Sequence, residues 1–202
     1  TPDTGLRTQL ESLVQCFWGL GLTIGHSVRT IDECLEESAH DITVQTSLLE
    51  ARYVTGNRRL FKQMKASYEA RMDAQAFFIA KMLETRQRHV KMGDTPYSLE
   101  PNCKESPGGL RDLQVILWAA KAAKLGNSWN ELAHRGLITL SEARQLKKKE
   151  RAFKDIRIRL HIQTQRCEDR LLFDVQMPLA ETFRFKKNGR LLDQRAASEC
   201  MM

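Results

Sequence analysis

Helix-breaking residues are scarce and unevenly placed along this chain, and this constrains its fold more than any other feature. Only 11 glycines and 5 prolines occur among 202 residues, and three of the prolines lie within residues 93–109. Elsewhere apolar residues mostly recur three and four positions apart, which is the period of an amphipathic helix. The sequence therefore predicts a mainly α fold, a helical bundle, with one long irregular loop over residues 93–109.

Capping residues and breakers divide this pattern into elements. Asp41, Ser128 and either Thr139 or Ser141 are suited to begin helices, because their side-chain oxygens accept hydrogen bonds from free backbone N–H groups. The run from Ala70 to Leu83 is apolar enough to lie inside the bundle. The predicted helices cover residues 6–20, 31–38, 42–56, 58–91 with a break near Ser67, 110–125, 129–134 and about 140–166, followed by a shorter apolar segment over 171–185.

Residues 22–30 depart from the helical period. Leu22, Ile24 and Val28 fit a period of two, which predicts a single strand. Because a lone strand leaves its backbone groups unpaired, residues 1–40 are expected to be the end of a truncated sheet domain, followed by a helical domain over 41–202. The chain also starts without Met and ends without a terminating motif, so we expect it to be a piece of a longer protein.

Charge and cysteine content narrow the class of protein only in part. Lys and Arg exceed Asp and Glu by 32 to 25, a net charge of +7, but the two signs are mixed along the chain. The basic helix over 144–159 is typical of a solvated face; nucleic-acid binding is the weaker alternative, because no aromatic residues alternate with the basic ones. Five widely spaced cysteines, no long apolar run and no export signal predict a cytoplasmic protein with reduced, mostly buried thiols.

Two polar stretches are candidates for ligand binding. The first ends the predicted strand, where Arg29 can hold a phosphate and Ser27 or Thr30 can donate a hydrogen bond to a sugar or phosphate oxygen. The alternative is ordinary polarity at a strand end, with Arg29 paired to Asp32 or Glu33. Spacing alone leaves both interpretations open.

The second stretch covers residues 100–112. Gly108 and Gly109 allow positive φ and close approach of the backbone, and the following helix is expected to offer unpaired N–H groups to an anion. Lys104 and Arg111 would add positive charge. The alternative is an ordinary transition from loop to helix, in which Asp112 favours the helix N-terminus. No complete catalytic signature accompanies either stretch, so no catalytic residue and no metal ligand is assigned.

Three strings carry a resemblance to a known family. They are Gly25-His26-Ser27-Val28-Arg29-Thr30, then D-I-T-V-Q-T-S-L-L-E-A-R over 41–52, then E-P-N-C-K-E-S-P-G-G-L-R-D-L over 100–113. In this order the strings resemble the bacterial bifunctional uridylyltransferase/uridylyl-removing enzymes that modify the nitrogen-regulatory protein PII. The stretch over 104–112 is also similar to glutamine-synthetase adenylyltransferase.

The resemblance implies a nucleotidyltransferase. It implies Mg²⁺-dependent transfer of UMP from UTP to a tyrosine of PII, with a separate HD domain for removal and ACT domains that sense glutamine as an effector. Residues 1–40 would then end a polymerase-β-like core, and 41–202 would form the helical domain. Asp41 is a candidate third carboxylate, although its position fits an N-cap better, and Asp112 is expected to orient Arg111. The candidate nucleotide or phosphate contacts are Ser27, Arg29, Lys104, Gly108, Gly109 and Arg111.

The motifs for catalysis in that family have no counterpart in this sequence. An Asp-x-Asp pair for Mg²⁺, the HD residues and the ACT domains are all missing from the 202 residues. We therefore expect the chain to be inactive by itself. The alternative function is that of a non-catalytic helical docking module for PII or for neighbouring domains.

Overall fold

The computed structural model describes residues 4–22, 24–95 and 97–183, and the backbone of two short strands that follow. Nine helices lie within these ranges, which confirms the mainly α prediction. They are α1 (Thr4–Gly19), α2 (Ile31–His40), α3 (Ile42–Leu49), α4 (Arg58–Arg71), α5 (Ala74–Lys91), α6 (Leu110–Ala122), α7 (Trp129–His134), α8 (Leu140–Thr164) and α9 (Phe173–Thr182). The strands β1 (Lys186–Lys187) and β2 (Arg190–Leu191) pair as an antiparallel hairpin.

Three small hydrophobic clusters hold the helices together. The first joins α2 to α6 through Leu35, Leu49, Tyr68, Phe77 and Ala122. Apolar residues placed on one face of each helix bury against one another here, and this burial is the main favourable term in the packing of such helices.

The second and third clusters continue the core along the molecule. Trp129 and Leu132 of α7 pack with Ala120 of α6 and Ala143 of α8. Further along α8, a third cluster forms from Leu160, Leu171 and Leu179. Helix α6 therefore belongs to the first two clusters, and α8 to the last two.

Several helix boundaries follow from side-chain caps. The carboxylate of Asp41 accepts hydrogen bonds from the N–H groups of Thr43 and Val44, at 2.6 and 3.3 Å, so the predicted N-cap of α3 is confirmed. Ser128 caps α7 as predicted. Of the two residues predicted to begin α8, Thr139 is the cap.

Other boundaries differ from the prediction. Helix α3 ends at Leu49 rather than near residue 56. The long helical stretch breaks at Met72 and Asp73 rather than near Ser67, because Asp73 accepts hydrogen bonds from two free N–H groups and begins α5.

The strand predicted over 22–30 is wrong: residue 22 and residues 24–30 are irregular. Gly21 turns the chain with a φ of +74°, and the following segment runs back beside α1, where His26 meets Trp18 at 5.9 Å between ring centroids. In the described part of the chain no strand lies alongside this segment to pair with it. The predicted domain boundary at residue 40 stays a prediction, and α2 packs against α3 and α4.

The middle of α5 is less buried than predicted. Phe77 and Lys81 are buried, but Phe78, Ile79, Met82 and Leu83 are all about half exposed, between 46% and 59%. These four side chains occupy one side of the helix at spacings of three and four residues. They form an exposed apolar face, which we call the α5 apolar face.

The cysteines are also more exposed than predicted. Of the four described, only Cys103 is buried, whereas Cys16 and Cys167 are exposed and Cys34 is half-buried; Cys200 lies outside the described residues. Burial raises the pKa of the Cys103 thiol to about 12. Within the described residues, no helix has the length and apolar character needed to cross a membrane.

Candidate functional site

Residues 100–109, which we call the Gly-Gly loop, are fixed to the chain segment after α8. Asn102 forms an isolated antiparallel bridge with Arg170. On either side of it, the N–H of Cys103 donates to the carbonyl of Asp169, and the N–H of Leu171 donates to the carbonyl of Pro101, both at 2.9 Å. The loop therefore has a defined position even though it contains no helix.

Two short polar side chains give the loop its shape. Asn102 Oδ1 accepts hydrogen bonds from the N–H groups of Lys104 and Glu105, at 3.0 and 2.8 Å. Ser106 Oγ accepts from the N–H of Asn102 at 2.9 Å. Neither role was predicted from the sequence, although an Asn whose side chain accepts from backbone two or three residues on is typical of turns.

The N-terminus of α6 has no unpaired N–H groups at the positions expected to meet an anion. The N–H groups of Gly109, Leu110 and Arg111 donate to the carbonyls of Ser106, Cys103 and Lys104, at 2.9, 3.0 and 2.9 Å. The N–H of Gly108 donates to Asp112 Oδ2 at 2.7 Å. The expectation of free donors is therefore wrong, because the loop folds back and supplies its own acceptors to the helix end.

The sequence predicted a positive φ and a close approach of the backbone at these glycines, and the structure shows one at each. The atoms close to Gly109, however, belong to the loop itself. Gly108 has a φ of +78°, where other residues are strained. At Gly109 a β-carbon would lie 2.9, 3.0 and 3.2 Å from the carbonyl oxygens of Ser106, Lys104 and Cys103. A side chain there would push apart the hydrogen bonds that close the loop.

Asp112 connects the start of α6 to the end of α5. Its carboxylate accepts from Arg88 Nη2 at 2.6 Å and lies 3.0 Å from His89 Nε2. Burial favours the neutral acid, but the hydrogen bonds from His89, Arg88 and the Gly108 N–H outweigh it and lower the pKa of Asp112. The expectation that Asp112 orients Arg111 is wrong, because its partners are on α5 and in the loop.

Asp169 is a second carboxylate at the same site. It binds Arg157 of α8 through two hydrogen bonds, of 2.6 and 3.2 Å, and lies 3.0 Å from His161 Nε2. Lys104 Nζ is 3.7 Å from its other oxygen. Burial again opposes ionisation, yet the bonds from Arg157 and His161 keep the pKa of Asp169 below its usual value.

Glu105 lies among three cations. Its Oε1 is 3.4 Å from Lys104 Nζ and 3.3 Å from Arg111 Nη2, and its Oε2 is 3.8 Å from Arg88 Nε. Arg111 also donates to Gln114 at 3.0 Å, and its guanidinium carbon lies 5.4 Å from the centre of the Trp118 ring. Two predicted contact residues, Lys104 and Arg111, are thus brought together.

The charges of this cluster nearly balance. Four Arg and Lys residues face three carboxylates, Glu105, Asp112 and Asp169, which leaves an excess of one positive charge. Five residues of the cluster were not predicted as site residues, since nothing in their local sequence marks them: Arg88, His89, Arg157, His161 and Asp169. Only the packing of α5 and α8 beside the loop brings these residues to it.

The residues predicted at 27–30 lie in another part of the structure. Arg29 Nη2 is 3.8 Å from Glu37 Oε2, neither of the two partners suggested by the sequence. Thr30 caps α2, accepting from the N–H of Glu33 at 3.2 Å. Ser27 is exposed beside α1, in a groove of about 640 Å³ that Leu10, Val14 and Phe17 also line. Among the described residues no hydrogen bond or ion pair joins Ser27 or Arg29 to the Gly-Gly loop.

The described residues do not fit a magnesium site. Mg²⁺ needs carboxylates free to coordinate it, but Asp112 and Asp169 are each occupied by an arginine and a histidine. Asp41 is occupied as the cap of α3. No group of three His, Cys, Asp or Glu side chains in the described ranges is arranged to hold a metal ion.

The part of the chain that contains this site matches a known protein family. Residues 76–202 match the family model of GlnD PII-uridylyltransferase. The chain belongs to this family. The matched range includes α5 from residue 76 onward, the whole Gly-Gly loop, α6 and α8, so the carboxylates and cations beside the Gly-Gly loop lie within the matched part. The resemblance inferred from the three sequence strings is confirmed.

Similar curated proteins extend the match to the rest of the chain. A bifunctional uridylyltransferase/uridylyl-removing enzyme of Cupriavidus pinatubonensis is 54% identical over 200 residues, which are 99% of this chain and 23% of that protein. The enzyme of the same description from Bordetella parapertussis is 54% identical over 201 residues, which are 100% of this chain and 23% of that protein. The chain thus spans about a quarter of the length of these relatives. No solved structure matches it.

Proposed function

We propose that this chain is the helical part of a PII uridylyltransferase and that it presents the Gly-Gly loop to the nucleotide. In the proposed reaction UMP passes from UTP to a tyrosine of PII and pyrophosphate is released. Membership of the GlnD PII-uridylyltransferase family and the names of the relatives support this proposal. The uridylyl-removing activity and a response to glutamine are proposed only for the longer protein, and no residue of this chain is assigned to them.

One observation carries the assignment of the loop: it is held in place by neighbouring elements, and cations in the loop and at the start of α6 reach the surface. Asp112 fixes it to α5, and Asp169 fixes it beside α8. Lys104 and Arg111 remain 29% and 27% exposed. A fixed positive surface suits phosphoryl transfer, where the protein has to position the reactants and neutralise charge on the phosphates.

Magnesium belongs to this proposal only as a companion of UTP. When bound, Mg²⁺ would neutralise phosphate charge, but the described residues do not fit it. The function proposed for Lys104 and Arg111 is to contact phosphate oxygens directly as charged donors. Gly108 and Gly109 contribute by shaping the loop rather than by offering free N–H groups.

Titration of the chain with Mg-UTP tests this function. We expect the backbone amide resonances of residues 100–112 to shift progressively, while those of α7 do not. The variant Arg111→Gln should weaken the effect at the loop. If millimolar Mg-UTP leaves the amides of 100–112 unperturbed, the loop is a scaffold and the proposed nucleotide contact is wrong.

A separate assay tests catalysis by the chain alone. We expect no incorporation of labelled UMP into PII, because the two carboxylates beside the Gly-Gly loop, Asp112 and Asp169, are each paired with an arginine and a histidine. Measurable incorporation would contradict the assignment of these carboxylates to structural roles.

The α5 apolar face favours a second candidate function, docking of PII by this chain. Ile79 and Leu83 are 59% and 58% exposed on it, and exposed apolar clusters often mark protein interaction sites. We expect Leu83→Lys to abolish a complex with unmodified PII, and Leu140→Lys, at an equally exposed apolar position on α8, to leave it unchanged. Absence of any complex with the unchanged chain would rule out this function.

A further inference from the structure

We propose that the Glu105 carboxylate takes the place of a phosphate group in a cation cradle formed by Arg88, Lys104 and Arg111, from which a polyphosphate displaces it. The inference rests on the proposed function for the class of ligand, a nucleotide polyphosphate. The cradle itself is argued from the contacts of Glu105.

Positive charge surrounds the carboxylate of Glu105. One carboxylate faces three cations from three different elements, α5, the Gly-Gly loop and α6, at 3.8, 3.4 and 3.3 Å. A carboxylate can accept from several close donors, as Asp112 does, but all three contacts of Glu105 are 3.3 Å or longer, so its two coplanar oxygens hold none of these cations closely. A phosphate has three terminal oxygens directed in space, so it can contact all three cations.

Each of the three cations also has a contact other than Glu105. Arg88 is held by Asp112 at 2.6 Å and is only 11% exposed. Arg111 is held by Gln114 and lies against Trp118. Lys104 also faces Asp169. For Arg88 and Arg111 the contact with Glu105 is the longer one, so Glu105 can leave without releasing either arginine.

Glu105 is accessible to solvent, and its withdrawal would raise the net positive charge of the cluster. Glu105 is 24% exposed, so solvent reaches the carboxylate that has to be displaced. With Glu105 withdrawn, four cations face two carboxylates, and the excess of positive charge rises from one to two. A polyphosphate would therefore replace the single negative charge of Glu105 by several negative charges, and the cations of the cluster would neutralise them.

Binding of inorganic tripolyphosphate, measured by isothermal titration calorimetry on the whole chain, tests this inference. We expect Glu105→Gln to bind about tenfold more tightly than the unchanged chain, because it removes a competing charge within ~4 Å of the cradle. The control Glu181→Gln removes the same charge from an exposed position on α9 and should change binding by less than about twofold. In the double variant that also carries Arg111→Gln, this increase in affinity for tripolyphosphate should be abolished.

Two results would overturn the inference. One is an equal gain for Glu105→Gln and Glu181→Gln, and the other is no binding of millimolar tripolyphosphate to Glu105→Gln. The unchanged chain supplies a measurement that needs no variant: the side-chain carboxyl carbon resonance of Glu105 should shift when tripolyphosphate is added. A resonance that stays in place at saturation would show that Glu105 is not displaced.

The outcome is separable from the proposed function, because tripolyphosphate has neither base nor ribose and is used without magnesium. If Glu105→Gln binds tripolyphosphate more tightly and Mg-UTP has no effect on residues 100–112, the cradle is supported and the nucleotide function is rejected. A clear effect of Mg-UTP without that gain would keep the function and reject displacement of Glu105.

Discussion

Two adjacent glycines in the Gly-Gly loop have different requirements. Gly108 needs only a positive φ, since open space surrounds the position of a β-carbon, whereas Gly109 lies against three carbonyl oxygens. We expect Gly108→Ala to lower the free energy of unfolding by about 1 kcal/mol through backbone strain. Gly109→Ala should cost about 3 kcal/mol, because the loop backbone has to move. Urea denaturation of both variants measures this, and equal losses would contradict the packing at Gly109.

Asp112 and Asp169 should make the stability of the chain sensitive to acid. Because the pKa of each is lowered in the folded state, their stabilising effect is complete above the unfolded value, about 3.9, and is lost as the pH falls through the folded value. We expect Asp112→Asn to cost about 2 kcal/mol at pH 7 by leaving Arg88 without its closest partner.

That difference should shrink as the pH falls below about 4, first because Asp112 takes up a proton in the unfolded chain and, at lower pH, because it does so in the folded chain as well. Urea denaturation at a series of pH values measures the trend, with Glu181→Gln as an exposed control. A cost for Asp112→Asn that is constant from pH 7 to pH 3 would show that ionisation of Asp112 does not contribute to folding.

At the scale of residues, local chemistry was predictable and distant partners were not. The cap at Asp41 and the uses of Gly108 and Gly109 follow from properties that each residue type has in any chain. The partners of Asp112 depend on how α5 packs, because Arg88 is 24 residues away in sequence. No local pattern contains that information.

At the scale of elements, α5 has apolar residues on two sides, one of which is buried and the other exposed. The sequence does not distinguish the two sides. Phe77 is 1% exposed within the first cluster, and Phe78 beside it is 49% exposed. We expect Phe77→Ala to lower the free energy of unfolding by about 4 kcal/mol and Phe78→Ala to lower it by less than about 1 kcal/mol. Thermal and urea denaturation measure both, and similar losses would contradict the orientation of α5.

The type of element was predicted well where a helical period of apolar residues followed a capping residue. It was predicted poorly where apolar residues alternated over a short segment that has no strand beside it. Residues 22–30 carry the alternation of a strand, but a strand is stable only when its backbone groups are paired. The apolar side chains Ile24 and Val28 instead face the groove beside α1. Val28 stays 59% exposed there. Sequence periodicity cannot distinguish these outcomes, because it does not show whether a neighbouring strand is present to pair with the segment.

At the scale of the whole molecule, helices α6 and α8 connect the three clusters. Cys103 of the Gly-Gly loop is buried and lines the same cavity as Ile156 of α8 and Leu171. Its pKa of about 12 leaves only about one thiol in ten thousand ionised at pH 8. We expect a thiol reagent to modify Cys16 and Cys167 rapidly and Cys103 only when the loop opens. The rate at Cys103, followed by mass spectrometry of peptides, should rise sharply in Gly109→Ala and stay low in Glu181→Gln. Rapid modification of Cys103 in the unchanged chain would contradict its burial.

The backbone N–H groups that close the Gly-Gly loop on its own carbonyls have a thermodynamic consequence for recognition. Because those bonds exist before any ligand arrives, the loop has already lost the conformational entropy that a mobile loop would lose on binding. A mobile side chain loses on the order of 1 kcal/mol when a ligand orders it, and a freely mobile loop loses more because its backbone is ordered too. In this loop the entropy is lost when the chain folds and not when a ligand binds. A few surface cations can therefore be enough to hold an anion.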